Sequence, residues 1–276
     1  FCANADNLVR ARESGCIGLL SGVESFSRVQ LTAFNKKQNL LQPQEEIIQS
    51  CLEAGLVFHY GLIFDLVEQR IDELLAETDF IVANPRITLP SFLGFAIPML
   101  GTPLFGTRLR EGLLLPNLRL RDMDGRSLVC RPVDPIEKAI AFAALMDSGL
   151  LAKRKVAMHA WRFFRRYRTT LSGWGLLSGL ANAWAMSYPR LGSNGRDGIR
   201  PGREGCRSYL GGSEALGSLY RPRIRIPERY HGHFEPLCVT DADGELHDDL
   251  IDDAASLLRP SGGVATIPTY NGVAVP

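Results

Sequence analysis

The stretch IGLLSGVESFSRVQLTAFNKKQN (17–39) carries a strand, a turn and a helix in quick succession, and the fold is read outward from it. Ile17 to Gly22 is a short apolar run of the kind that makes a buried strand. Ser27 and Gln30 stand at capping-box spacing and open a helix that runs to about Phe34. Upstream, a short helix over 5–14 would end at Gly15, a natural place for a left-handed cap. Downstream, Pro43 starts the next helix, with Glu45 and Glu46 in the first turn, where the positive end of the helix dipole favours carboxylates. Ile47, Ile48, Cys51 and Leu52 form its apolar stripe, and Gly55 ends it.

LVFHYGLIF (56–64) is too continuously apolar for the edge of an open antiparallel sheet. A helix predicted over 67–83 follows, with Ile71, Leu74, Leu75, Thr78 and Val82 on one face. ITLPSFLGFAI (87–97) reads as another buried strand, in which Pro90 demands a bulge or a strand start. Strand and helix alternating at this spacing give a parallel βα pattern. Three such units fall short of a closed eight-stranded barrel. The expected class is therefore α/β, a partial (βα) barrel over 1–110, then a helical region over 111–186 and an irregular or disordered tail over 187–276. The first residue is Phe1 rather than Met, and the pattern starts abruptly, so the expectation is a processed chain or a piece of a longer one.

In the helical region, Ile136, Ile140, Ala143 and Ala144 lie at helical spacing within 134–152. Val156, Ala160, Phe163, Phe164 and Tyr167 do the same within 153–168, with a crowd of Lys and Arg mostly off that stripe. LSGWGLLSGLANAWAM (171–186) is apolar but glycine-rich. The basic helix reads either as a solvated face or as a contact for phosphate or an anionic membrane surface. The tail is rich in Gly, Arg, Pro and Ser.

The chain has 276 residues, and 31 Lys and Arg against 30 Asp and Glu leave a formal charge of +1. That near-balance excludes a nucleic-acid binder held by bulk charge, and no nucleic-acid partner is expected. No apolar run reaches the ~20 residues of a membrane-spanning helix. The six cysteines are too far apart for a zinc knuckle, a redox CxxC or a cluster loop, and are expected to be reduced thiols of a cytoplasmic protein. No metal-binding residue is assigned. His231, His233, Cys238, Asp241, Asp243 and His247 crowd together, but their spacing fits no zinc or calcium loop. A hydrolase or dehydrogenase is excluded by the lack of G-x-S-x-G, HExxH or a G-x-G-x-x-G after a strand.

In a parallel βα barrel, chemistry sits at the C-terminal ends of the strands. Here those positions are Glu24, Asp65 and the turn from Pro98 through Gly101 to Pro103. A carboxylate such as Glu24 suits the hydroxyls of a ribose. Ile63 and Phe64 offer apolar surface to a purine, although both would be core residues in most proteins. Asp65 is expected as the N-cap of the helix over 67–83. His59 reads as a packed or hydrogen-bonded strand residue, or one turned into the pocket.

Taken in order, SGCIGLLSGVESFSRVQLTAFNKKQN (14–39), IIQSCLEAGLVFHYGLIFD (47–65) and ITLPSFLGFAIPMLGTPLF (87–105) resemble the later half of radical SAM enzymes. The likeness is greatest to those with an N-terminal cobalamin-binding domain. It rests on G-V-E-S, the following N-K-x-x-N and the I-P-x-x-G-T-P turn. The resemblance implies the radical SAM type of barrel and a 4Fe-4S cluster held by a CxxxCxxC loop. It also implies S-adenosylmethionine cleaved to a 5′-deoxyadenosyl radical, a small-molecule substrate, and a cobalamin that commonly relays a methyl group. By position, Glu24 would meet the S-adenosylmethionine ribose, Ile63 and Phe64 the adenine, and Pro98 and Gly101 would shape the pocket. No CxxxCxxC occurs in this chain, so cluster and cobalamin ligands are expected on polypeptide outside it, and the chain alone is expected to be inactive. The other reading is a non-catalytic remnant that docks on a partner or a membrane.

Overall fold

A computed structural model describes residues 1–99, 101–115, 118, 122–123, 125–149, 153–187 and 209–211. It is a mixed α/β fold built on a small parallel sheet of three strands in the order β1-β2-β3. The strands are β1 (Gly18–Glu24), β2 (Val57–Phe64) and β3 (Phe92–Phe95). The helices before β3 are α1 (Ala5–Glu13), α2 (Arg28–Ala33), α3 (Gln44–Glu53) and α4 (Ile71–Ala83). After it come α5 (Pro103–Arg110), α6 (Ile136–Gly149), α7 (Lys153–Tyr167) and α8 (Gly173–Ser187). The expected tail lies outside the described residues apart from 187 and 209–211, as do its His, Cys and Asp residues. The chain divides into two compact units: Phe1–Phe64 with Asp72–Gly94 and Gly149–Pro189, and Asp65–Ile71 with Phe95–Ser148 and residues 209–211.

In the first unit, β1 and β2 pair in parallel from Gly18↔Val57 to Gly22↔Gly61, and an irregularity at Val23 then sets Glu24 opposite Leu62. Alternation along the strands makes two faces. Val23, Phe58, Tyr60, Leu62 and Phe64 are buried on one of them, over a core that includes Leu31, Ile48, Cys51, Leu52 and Leu74. The Phe26 ring meets Tyr60 and Phe80 edge-on at 5.7 and 5.8 Å. The other face carries Gly22, His59, Gly61 and Ile63, and α8 lies against its lower part. There His59 Nε2 bonds the Ser178 hydroxyl at 2.9 Å, and Asn182 donates to His59 Nδ1 at 3.2 Å and to the Leu89 carbonyl at 3.0 Å. His59 is thus a hydrogen-bonded strand residue tied to a helix.

α7 packs along α4. His159, 3 % exposed, donates from Nδ1 to the Val82 carbonyl at 3.1 Å, and the Tyr167 hydroxyl donates to the Arg86 carbonyl at 2.7 Å. Burial pushes the His159 imidazole below its ordinary 6.5, although hydrogen bonds to Val82 and Ile87 oppose it. A histidine depressed in the folded state stabilises the fold above its unfolded value, and that contribution is lost as pH falls through 6.5 toward the folded value. His159→Asn keeps a donor for Val82 and removes the titration. Urea unfolding at about pH 7 and about pH 5 is expected to show a shallower loss of stability in the variant.

In the second unit, Leu114 bridges Cys130 in antiparallel fashion and Leu128 bridges Leu210 in parallel. Phe95 stacks at a tilt on Phe142, 6.3 Å between centroids, above a core of Leu114, Leu115, Val129, Ile140 and Ala143.

Four expectations from the sequence are corrected. β1 runs on through Glu24, so this carboxylate ends the strand. Residues 66–69 are a turn and α4 begins at Ile71; Asp65 accepts from the Val67 N–H at 3.1 Å and shapes that turn. The first N–H of α4 is taken instead by the carboxylate of Asp134, at 2.7 Å. Ser27 caps α2 through the Gln30 N–H at 3.4 Å, but its own N–H is taken by Ser25 Oγ at 3.0 Å, so the box is half made. Finally, β3 is only Phe92–Phe95; ahead of it, Thr88 donates its hydroxyl to the Phe58 carbonyl and accepts the Tyr60 hydroxyl at its own carbonyl, 2.7 Å away.

Candidate functional site

At the C-terminal end of β1, each residue of Gly22-Val23-Glu24-Ser25 has a separate physical duty. A Cβ placed on Gly22 would stand 2.5 Å from Glu24 Oε1, so the carboxylate folds back over a position that only glycine leaves open. Val23, 1 % exposed, anchors the strand in the core. Glu24 has φ +67, a left-handed conformation costly for a side chain of its size. Ser25, 1 % exposed, donates to Glu77 Oε1 of α4 at 2.7 Å, and the Phe26 N–H shares that oxygen.

The second half of the motif closes on the first. α2 ends at Phe34, and Asn35 takes φ +53, which turns the chain back toward the strand. Lys36 Nζ then reaches Glu24 Oε1 at 2.9 Å. Asn39, in a short 3-10 helix (Lys37–Leu40), donates from Nδ2 to the carbonyls of Gly22 at 2.9 Å and Val23 at 3.1 Å. The left-handed turn at Glu24 is therefore held from three sides, by Lys36, Asn39 and Glu77.

The register pairs Glu24 with Leu62, but its carboxylate folds back over Gly22, whose strand partner Gly61 lies on the face that carries Ile63. Ile63 is half-buried there, and Phe64, the next residue, points the other way and is 1 % exposed in the core. The two residues expected to face one purine thus lie on opposite faces, and only Ile63 stands on the Glu24 side. Phe92 completes this surface: a Cβ on Gly61 would lie 2.0 Å from the Phe92 ring, which lies across the bare backbone and is itself 49 % exposed. Sequence reasoning missed Phe92, Gly61 and Glu77. The glycine within an apolar strand was the available signal, since such a position marks close approach of another group.

Pro98 and Gly101 belong to the second unit. Pro98 is buried, and Gly101 adopts φ +80 with no atom within 4 Å of a built Cβ, so backbone conformation alone requires glycine there. The following Thr102 caps α5, accepting the Phe105 N–H at 3.3 Å and donating to the Met99 carbonyl at 2.6 Å, and Pro103 fills the first helical position. The turn is a helix start.

Cys2, Cys16, Cys51 and Cys130 are free thiols. Burial raises the thiol of Cys51 above its ordinary value and pushes that of Cys130 up to about 12, so both stay protonated and weakly nucleophilic near neutrality. Among the described residues no group of three or more His, Cys, Asp or Glu side chains is placed to hold a metal ion, and no helix is long and apolar enough to cross a membrane. Compared with protein-family models, curated proteins and solved structures, the chain matches none.

Proposed function

We propose that this chain is the later part of a radical SAM enzyme of the cobalamin-containing class, with its partial βα barrel, and that the Glu24 end of β1 holds the ribose of S-adenosylmethionine. The observation that carries the reading is the strained turn at Glu24, clamped by Lys36 and Asn39. Backbone strain of this kind persists where surrounding structure over-determines it, and it clusters at ligand sites. The residues present fit a ribonucleoside. A carboxylate at the C-terminal end of a parallel strand accepts from a diol, its oxygen Oε1 fixed by a cation, with Ile63 on the same face as an apolar neighbour. Phe64 supports the strand from behind.

S-adenosylmethionine, reductively cleaved, supplies a carbon-centred radical that can activate an unreactive substrate for methyl transfer or a related step. The duty of this chain's own residues is to bind and orient it. Lys36 holds the Glu24 carboxylate in one rotamer, and Asn39 ties the strand end so that the turn does not relax. The cysteines of this chain do not fit a 4Fe-4S cluster, since none are in CxxxCxxC spacing. No residue here is assigned to cluster or corrinoid. Such an enzyme acts in the cytoplasm, on a small-molecule substrate.

Calorimetric titration of the full chain with S-adenosylmethionine tests the reading. Binding is expected, with Glu24→Ala weakening it by about ten- to hundredfold, the worth of hydrogen bonds to a charged acceptor. Gly22→Ala, which displaces the carboxylate without removing it, is expected to weaken binding in the same direction. Affinity untouched by both substitutions, or no affinity at all in a folded chain, would sink the assignment.

A further inference from the structure

Every charged residue between 153 and 187 is a Lys or Arg, and this stretch holds all three tryptophans of the chain. It forms the α7–α8 hairpin of the first unit. Its inward faces are accounted for: Val156, His159, Phe163 and Tyr167 of α7 and Ala183 and Met186 of α8 are buried. What remains outside is unusually apolar. Trp174, Leu177 and Trp184 of α8 are 73, 57 and 56 % exposed and fall at helical spacing on one stripe, and Trp161 of α7 is 56 % exposed. Beside Trp161 in the chain, Arg162, Arg165 and Arg168 are exposed as well. Lys155 and Arg166 are engaged by Asp79 and Glu53 at 2.9 and 3.7 Å.

We propose that the α7–α8 hairpin docks on an anionic lipid surface. The Trp174–Leu177–Trp184 stripe would enter the headgroup boundary and the α7 arginines would meet lipid phosphates. Tryptophan favours that boundary because its ring is apolar and its N–H still finds a partner. A run of cations without an acid supplies the electrostatic half of the attraction. A single-stranded nucleic acid fits less well. It needs cations interleaved with the stacking rings, whereas α8 carries no charged residue and places an aliphatic Leu177 in the middle of its stripe.

The test uses the full chain and its own fluorescence, since all the tryptophans lie on this hairpin. Flotation with phosphatidylcholine vesicles, with and without phosphatidylserine, is expected to show binding only to the anionic ones, weakened by added salt. Tryptophan emission should shift to the blue, and brominated phospholipid should quench it. Changing Arg162, Arg165 and Arg168 together to Gln should lower the partition by about a hundredfold. Trp174→Ser with Leu177→Ser should reduce both partition and quenching, with the circular dichroism of each variant unchanged. The proposal is overturned by equal binding to neutral and anionic vesicles, by no binding, by vesicle binding without quenching, or by tighter binding to a single-stranded RNA than to anionic vesicles. If the variants misfold, quenching in the unsubstituted chain decides alone.

Discussion

Arg108→Met is expected to destabilise the second unit by about 3–5 kcal/mol in urea unfolding, the usual cost of stripping one partner from a buried ion pair. Arg108 is 7 % exposed and stands among three carboxylates. It reaches Glu68 at 2.7 Å, Glu111 at 3.4 Å and Asp65 at 3.6 Å. Asp65 is itself 6 % exposed. Burial holds the Asp65 carboxyl above its ordinary range, against the Val67 N–H and the Arg108 charge, which both pull it down. Without Arg108 that carboxylate is left inside without its cation. Adding Asp65→Asn to Arg108→Met removes the orphaned charge and is expected to return about 1–3 kcal/mol, the coupling of groups in one network. Additive losses would show that the buried pair contributes nothing.

Glu77→Leu is expected to cost roughly 3 kcal/mol and to loosen the turn after Glu24. Glu77 accepts from Ser25 Oγ and the Phe26 N–H, and each donor left unpaired in the interior costs ~1–3 kcal/mol. Glu77→Gln keeps an acceptor oxygen and separates this effect from charge. Burial raises the Glu77 carboxyl, and the hydrogen bonds from Phe26 and Ser25 only partly offset that. A carboxyl raised in the folded state contributes stability that is full below the ordinary 4.5 and is lost as pH rises through the folded value. Thermal or urea unfolding of the Gln variant across that range should lack this component. An unchanged pH profile would mean that Glu77 titrates normally.

Strands and helices were legible in sequence because their signals are local. The apolar run over 56–64 became β2, Pro43 and its two following glutamates opened α3, and the basic stripe over 153–168 became α7. The misplacements share a cause, namely another residue taking a role that sequence spacing assigns to a neighbour. Asp65 stood at capping distance from the predicted helix start, yet Asp134, far along the chain, caps α4. Ser27 and Gln30 had capping-box spacing, yet Ser25 captured the Ser27 N–H because Glu77 had already oriented its hydroxyl. At the candidate site, Glu24 was singled out by its place at the end of the first strand and by the resemblance, and the structure adds the Lys36 and Asn39 contacts around it. Glu77 was not singled out, because a glutamate on an amphipathic helix carries no mark of what its carboxylate meets. Ile63 and Phe64 were read together although strand alternation separates them.

Gly61 has a consequence for how this surface can change over generations. The patch above it is furnished by a ring from the neighbouring strand, and that ring is half open to solvent. A smaller or more polar residue at position 92 would therefore reshape the patch while leaving the packing on the reverse of the sheet untouched. The shape of this patch is thus set by one side chain of β3, while the backbone of β2 beneath it is fixed by its pairing with β1.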